Sequence, residues 1–337
     1  MTQLLIALAA VIATGLLLGR VLKRLGQPAV IGEVLAGILL GPSLLGSRWS
    51  SHILPPAIAP GLGVVAQLGV ILYMFVVGLE LPLDSLRRHA RSALAISHAS
   101  IVAPFALGVL LAFGLYPRLS SREVPFPAFA IFLGVAMSIT AFPVLARILD
   151  DLGMIRSALG VIAMSSAAIG DINAWCLLAL AIAVAKAKPG DAFIVAGEAV
   201  VYVAVMILFV RPLIRRLAAR QENASGWLLV GVLLSAFVSE WIGIHALFGA
   251  FLLGALVPHE SALAKAMVDR LKSAVTLLLL PAFFALVGMR TRIDLVSGWD
   301  QWLICGAICL VATLGKFGGT FAAACLTGVP LREATAL

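Results

Sequence analysis

The chain has 337 residues, of which 62% are apolar and only 12% charged, with a formal net charge of +8 and a mean hydropathy of +1.11. A soluble domain sits at about 45–50% apolar and about 25% charged, so a soluble enzyme, a disordered chain and a nucleic-acid reader are all excluded. What remains is a polytopic membrane protein, whose basic excess belongs to cytoplasmic loops rather than to an anionic partner.

A bilayer core of about 30 Å takes roughly 20 apolar residues per helix. Taken in chain order, eleven stretches read as spans: 3–20, 28–46, 61–80, 92–115, 125–147, 156–186, 192–214, 226–243, 245–258, 271–289 and 301–327. The first has no basic residue before Arg20, so it lacks the charged start of a signal peptide and reads as a span. The loops are too short for a soluble domain, and residues 1–337 read as one transmembrane domain. Loop charge alternates. One side carries sixteen basic residues, among them Arg20, Lys23, Arg24, Arg87, Arg88, Arg211, Arg215 and Arg220. The other carries seven: Arg48, Arg118, Arg122, Lys186, Lys188, Arg290 and Arg292. Basic loops stay in the cytoplasm, which puts the N-terminus outside a multi-pass protein of the cell inner membrane.

Cys176, Cys305, Cys309 and Cys325 all lie in apolar stretches. No His or carboxylate joins Cys305 and Cys309 to complete a metal site, so the four read as small packers, and no cofactor is expected. Glu80, Asp191 and Glu240 fall at span ends. Glu33 and Glu198 lie further in and read as packing or interface charges.

Two charges lie deeper. Asp171 is the centre of span 156–186, and Lys316 lies two residues past the centre of 301–327. A charge at mid-membrane costs about 2.5–3.5 kcal/mol on insertion scales and marks function by default. Ser165, Ser166, Gly170 and Asn173 surround Asp171, and such oxygen-rich surroundings suit a small hard cation or a proton. A buried structural Asp–Lys pair is the competing explanation. The fifth span carries Ser138-Ile139-Thr140-Ala141-Phe142-Pro143. Pro143 has no N–H to give and clashes with the preceding turn, so a helix break is expected there. Freed carbonyls are tolerated in a membrane only where protein or a hydrated cavity satisfies them. Gly315-Lys316-Phe317-Gly318-Gly319-Thr320 reads as a second loosened stretch. Breaks and charges at one depth are the sequence mark of a secondary transporter's ion site.

At these residues the chain resembles the monovalent cation/proton antiporter family, in the branch of Kef-type and related bacterial sodium/proton antiporters. The matching stretches are Gln27 to Glu33, Met74 to Glu80, Thr140 to Arg147, Asp171 with its neighbours, Phe248 to Gly254, Phe283 to Thr291 and Gly315 to Gly319. The resemblance implies an all-α inverted-repeat fold, with a dimerisation domain beside a mobile core that includes 125–147, 156–186 and 301–327. It implies broken helices that cross near an ion-binding aspartate, matched by Asp171, and a core lysine, matched by Lys316. It further implies a homodimer, exchange of Na⁺ or K⁺ for protons, and two more helices after Leu337, making thirteen spans in a complete protein. Thr140, Ser165, Ser166 and Asn173 are the candidate oxygen ligands beside Asp171. In relatives Asp, Asn or Gln commonly precedes the aspartate, whereas this chain has Gly170. Lys316 is therefore expected to seek another partner, Asp171 among them. A single carboxylate favours electroneutral one-for-one exchange, whereas a proton cycling on Lys316 makes exchange electrogenic.

Three other classes compete. An intramembrane aspartyl protease needs two facing carboxylates sharing a proton, and the sequence has no second mid-span Asp. An organic-anion transporter on the same fold is disfavoured by Asp171. A non-transporting sensor or regulatory subunit is the third.

Overall fold

The computed structural model describes residues 2–81, 83–121, 123–185, 190–219 and 224–337. Arg122, Lys186, Lys188 and Arg220, counted above among the loop charges, lie outside these, as do the side chains of Arg87, Arg88, Cys176 and Asp191. The described residues form helices and short connections. In order they are α1 (Thr2–Arg24), α2 (Ala29–Leu40), α3 (Gly46–Ile53), α4 (Ala59–Glu80), α5 (Leu83–Leu119), α6 (Phe126–Ser138), α7 (Phe142–Asp151), α8 (Ala158–Ala185), α9 (Gly190–Val205), α10 (Arg211–Ala219), α11 (Ala224–Ile242), α12 (Ala246–Leu256), α13 (Ala262–Ala274), α14 (Leu280–Arg290), α15 (Trp299–Leu326) and α16 (Leu331–Ala334). Single π-helical turns, Met206–Val210 and Val275–Leu279, join α9 to α10 and α13 to α14.

Among the described residues nine helical stretches are long and apolar enough to cross a membrane, and α2 and α12 are shorter apolar helices. Each of the eleven stretches has a helical counterpart among the described residues, nine of them long enough to cross, and several differ in extent. The stretch 28–46 keeps a helix only from Ala29 to Leu40, because Gly41 and Pro42 follow and proline removes the next donor. At 12 residues it rises about 18 Å, short of a full bilayer core. The stretch 245–258 shortens to the 11 residues of α12. The helix expected over 271–289 begins nine residues earlier, at Ala262, where Ser261 accepts the Ala264 N–H as an N-cap.

Glycines set how closely the helices approach. Gly78 of α4 and Gly254 of α12 lie at one crossing: a Cβ on Gly78 would meet the Phe251 carbonyl, and one on Gly254 the Phe75 carbonyl. Gly37 of α2 and Gly288 of α14 do the same, against Ala285 and Val34. These crossings let α4 sink into the main apolar core, where Tyr73, Met74, Phe75 and Leu79 are fully buried with Phe284 of α14 and Ile244. The outer helices expose large apolar side chains such as Leu208, Phe209, Trp299, Leu303 and Leu310, as a hydrocarbon surround requires.

Helix packing falls into two groups. In one, α1, α2, α4, α11, α12 and α14 pack on one another; in the other, α5 packs along α6, α8 and α15. Contacts of α7 with α2 and α4 are among those that join the groups, and they carry buried charge. Arg147 of α7 lies 3.8 Å from Glu33 of α2 and 3.5 Å from Asp151. Lys272 of α13 lies 2.7 Å from Asp150 of α7 and 3.0 Å from Glu80 of α4. Arg156 also reaches Glu80, at 3.4 Å. Glu33 is thus a packing charge, as expected; Glu80, expected only as a span-end charge, is ion-paired inside the fold, and Glu198 is exposed.

Candidate functional site

Between Ser138 and Phe142 the fifth span loses its helix. α6 ends at Ser138 and α7 begins at Phe142, with Pro143 in its first turn. The break expected from Pro143 is therefore present. Residues Ile139 to Ala141 leave the helical path, which frees the Ser138 carbonyl from the ladder beside the Thr140 hydroxyl. Lys316 of α15 claims them. Its Nζ donates to the Ser138 carbonyl at 2.7 Å and to Thr140 Oγ1 at 2.5 Å. The Ser138 hydroxyl turns back to donate to the carbonyls of Gly134 and Ile101. A cation from a neighbouring helix thus satisfies the broken backbone, which is what a break at membrane depth requires.

The second loosened stretch is absent. α15 runs unbroken through Gly315, Gly318 and Gly319. Gly315 and Gly319 stand one turn apart and face α5: a Cβ on Gly315 would lie 2.8 Å from Pro104 Cα, and one on Gly319 2.5 Å from the Ala99 carbonyl. Those two glycines admit close packing rather than a kink, and the approach carries Lys316 to the break.

A cavity of about 410 Å³ lies beside this contact, bordered by Thr140, Ser166, Lys316, Ser100, Thr313 and Thr320 among others. It unites Thr140, Ser166 and Lys316, three of the residues singled out from sequence. The hydroxyls of Ser100, Thr313 and Thr320 were not expected there; their only sequence signal is polarity inside an apolar span. Asp171 does not border the cavity. It is buried, 8% exposed, with no ion-pair partner within 4.0 Å among the described residues, so the expected contact with Lys316 is not formed. The Lys316 ammonium is held instead on the Ser138 carbonyl and the Thr140 hydroxyl. Gly170 looks at α5, where a Cβ would lie 3.5 Å from Ser97 Oγ, and the next residue projects about 100° round the helix. Ser97 is fully buried, and its hydroxyl has no partner.

The other expected ligands diverge. Asn173 projects about 200° away from Asp171 round the helix. Ser165 Oγ donates to the Val161 carbonyl of its own helix. Ser166 Oγ is buried without a partner, and its residue borders the cavity.

Removing the Lys316 ammonium tests its place at the break. Lys316→Ala is expected to leave the Ser138 carbonyl without its donor and to cost about 1–3 kcal/mol of stability, read as a lower melting temperature in detergent. An unchanged melting temperature would mean that the ammonium does not hold the break.

The comparisons with known proteins agree with this architecture. The family model for the sodium/hydrogen exchanger transmembrane region matches residues 7–337. The chain is 39% identical to the Na⁺/H⁺ antiporter NhaS4 of Synechocystis, over all of this chain and 85% of that one. It is 38% identical to cation/H⁺ antiporter 20 of Arabidopsis thaliana, over 99% of this chain and 42% of that one. With K⁺/H⁺ antiporter 1 of Saccharomyces cerevisiae it shares 32%, over 92% of this chain and 38% of that one. The chain thus spans most of the cyanobacterial relative and about two-fifths of the plant and yeast relatives. Among solved structures, the sodium proton antiporter MjNhaP1 of Methanocaldococcus jannaschii has the same fold, with a TM-score of 0.69 at 15% identity over 98% of this chain and 81% of that one. An all-helical, multi-pass arrangement, a matching family model across nearly the whole chain and close relatives that are antiporters rather than enzymes place this chain in the sodium/hydrogen exchanger family.

Proposed function

We propose that the protein exchanges a monovalent cation, Na⁺ or K⁺, for protons by alternating access, with Asp171 as the site both ions share. The observation that carries this is the isolation of the Asp171 carboxylate. It is buried at the middle of α8 with no cationic side chain within ion-pairing distance among the described residues. A buried charge without a partner costs several kcal/mol. Such a carboxylate holds either a proton or a cation, and an empty charged site does not cross the low-dielectric barrier. That restriction makes exchange obligatory. Lys316 is engaged at the break, so it leaves Asp171 open to exchangeable ions. Thr140 and Ser166 supply oxygens on the cavity side; Ser165 and Asn173 face away from Asp171 on the same helix and stand outside the ligand set in this reading.

In this reading α5 to α8 and α15 form the moving core. The group around α4, α12 and α14 is the scaffold, through which two copies associate in an inner membrane. The basic loops face the cytoplasm and the N-terminus lies outside. The test is a sodium-against-potassium titration of the full-length protein in proteoliposomes, read by internal pH and by membrane potential. Cation-driven proton movement is expected, and pH that never responds to either cation overturns the proposal.

A further inference from the structure

His245 is the only residue other than glycine with a positive φ among those described, at φ 73° and ψ 137°. An L side chain avoids that region, and such strain persists only where the surroundings hold it. Here they do. Glu240 Oε2 accepts the Ala246 N–H at 2.7 Å, and His245 Nδ1 accepts the Leu247 N–H. Two side chains thus cap the first free donors of α12 and fix the corner between α11 and α12. The strained corner presents the imidazole to α8, where its ring lies 5.1 Å from that of Trp175, tilted by 56°. Trp175 stands four residues after Asp171, about 40° round the helix and about 6 Å further along it. The ring contact therefore covers α8 one turn beyond the carboxylate, on nearly the same face. It also joins the two packing groups, since α8 belongs with α5 and the corner with α4 and α12.

We propose that His245 and Trp175 form the gate that closes Asp171 from the outer face. This rests on the reading of Asp171 as the ion site and of the C-terminal end of α8 as outward. The fixed corner acts as a stop on the scaffold side, and Trp175 rides on α8. When the core moves, the rings part and water and ions reach the carboxylate from outside. The break at Ile139 to Ala141 lies outside this contact, so the gate and the Lys316 contact are separate elements. His245 is a positioning residue and takes no ion.

Accessibility tests the gate without relying on transport. In the full chain with its four native cysteines replaced by serine, Asp171→Cys is exposed from the outer face to a small, membrane-impermeant, cationic thiol reagent. Adding His245→Gly, which accepts the positive φ without strain, or Trp175→Ala is expected to speed modification roughly fivefold, the shift in closed-to-open ratio that losing one aromatic contact produces. Trp175→Phe, which keeps a ring, is expected to react at the parent rate. With the native Asp171 and cysteines in place, the same two gate variants are expected to lower the apparent KM for cation supplied outside and to leave the KM for cation supplied inside unchanged or raised. Unchanged labelling from outside overturns the gate, as does an equal change in KM from both faces. The labelling readout stands even where Asp171→Asn proves to retain exchange, so failure of the gate and failure of the ion site give different results.

Discussion

Asp171→Asn is expected to abolish cation/proton exchange and to leave the fold standing. Asparagine matches aspartate in size and keeps an oxygen for a hydrogen bond. It takes up no proton near neutral pH and does not balance a cation. Exchange in proteoliposomes should fall at least a hundredfold, to the level of empty vesicles, for Na⁺ and K⁺ alike. Thermal unfolding in detergent should be unchanged or slightly higher, because a carboxylate 8% exposed and lacking a partner contributes desolvation cost rather than binding. Asp171→Glu restores the charge and should recover partial exchange with altered cation affinity. Cation-dependent proton movement persisting in the asparagine variant would contradict the shared-site mechanism. A large fall in melting temperature would instead make Asp171 a structural residue, satisfied by something other than a transported ion.

A large loss of stability is expected from Gly254→Ala. The added methyl group would run into the Phe75 carbonyl and come within 3.1 Å of the Leu79 nitrogen. Both obstacles are backbone of a buried helix, so neither moves cheaply. Overpacking of this kind costs about 1–3 kcal/mol, and more where the backbone must shift; the Gly254 crossing should lie at the upper end. Gly306→Ala is the matched control, since a Cβ there meets nothing within 4 Å. On α15 it should be neutral or stabilising by up to about 1 kcal/mol, because alanine is the better helix former. Melting temperatures of the two variants in one detergent decide the matter. Equal values mean that α4 and α12 do not approach as closely as described.

Span positions and the break at Pro143 were legible because each rests on a local property. Apolar length decides membrane crossing whatever the neighbours do, and a missing N–H breaks the ladder wherever proline sits. Asp171 and Lys316 stood out for the same reason, since a charge at mid-span is expensive in any arrangement. Glycine was less legible. Gly315 and Gly319 read as loosening α15, but the helix is continuous and they face Pro104 and Ala99. A glycine's effect depends on whether a neighbour comes close enough to need the missing Cβ, and that neighbour is about 200 residues away in sequence.

The partners of the deep charges were out of reach for the same physical reason. The sequence by itself determined that this is a many-spanning membrane protein with a broken fifth span, one central carboxylate and one central ammonium, because hydropathy, proline chemistry and depth belong to single segments. Only the tertiary structure decided that the ammonium lies on Ser138 and Thr140 rather than on Asp171, and that a strained histidine meets Trp175. Those facts depend on which faces of distant helices come together, and that is set by packing across the whole fold.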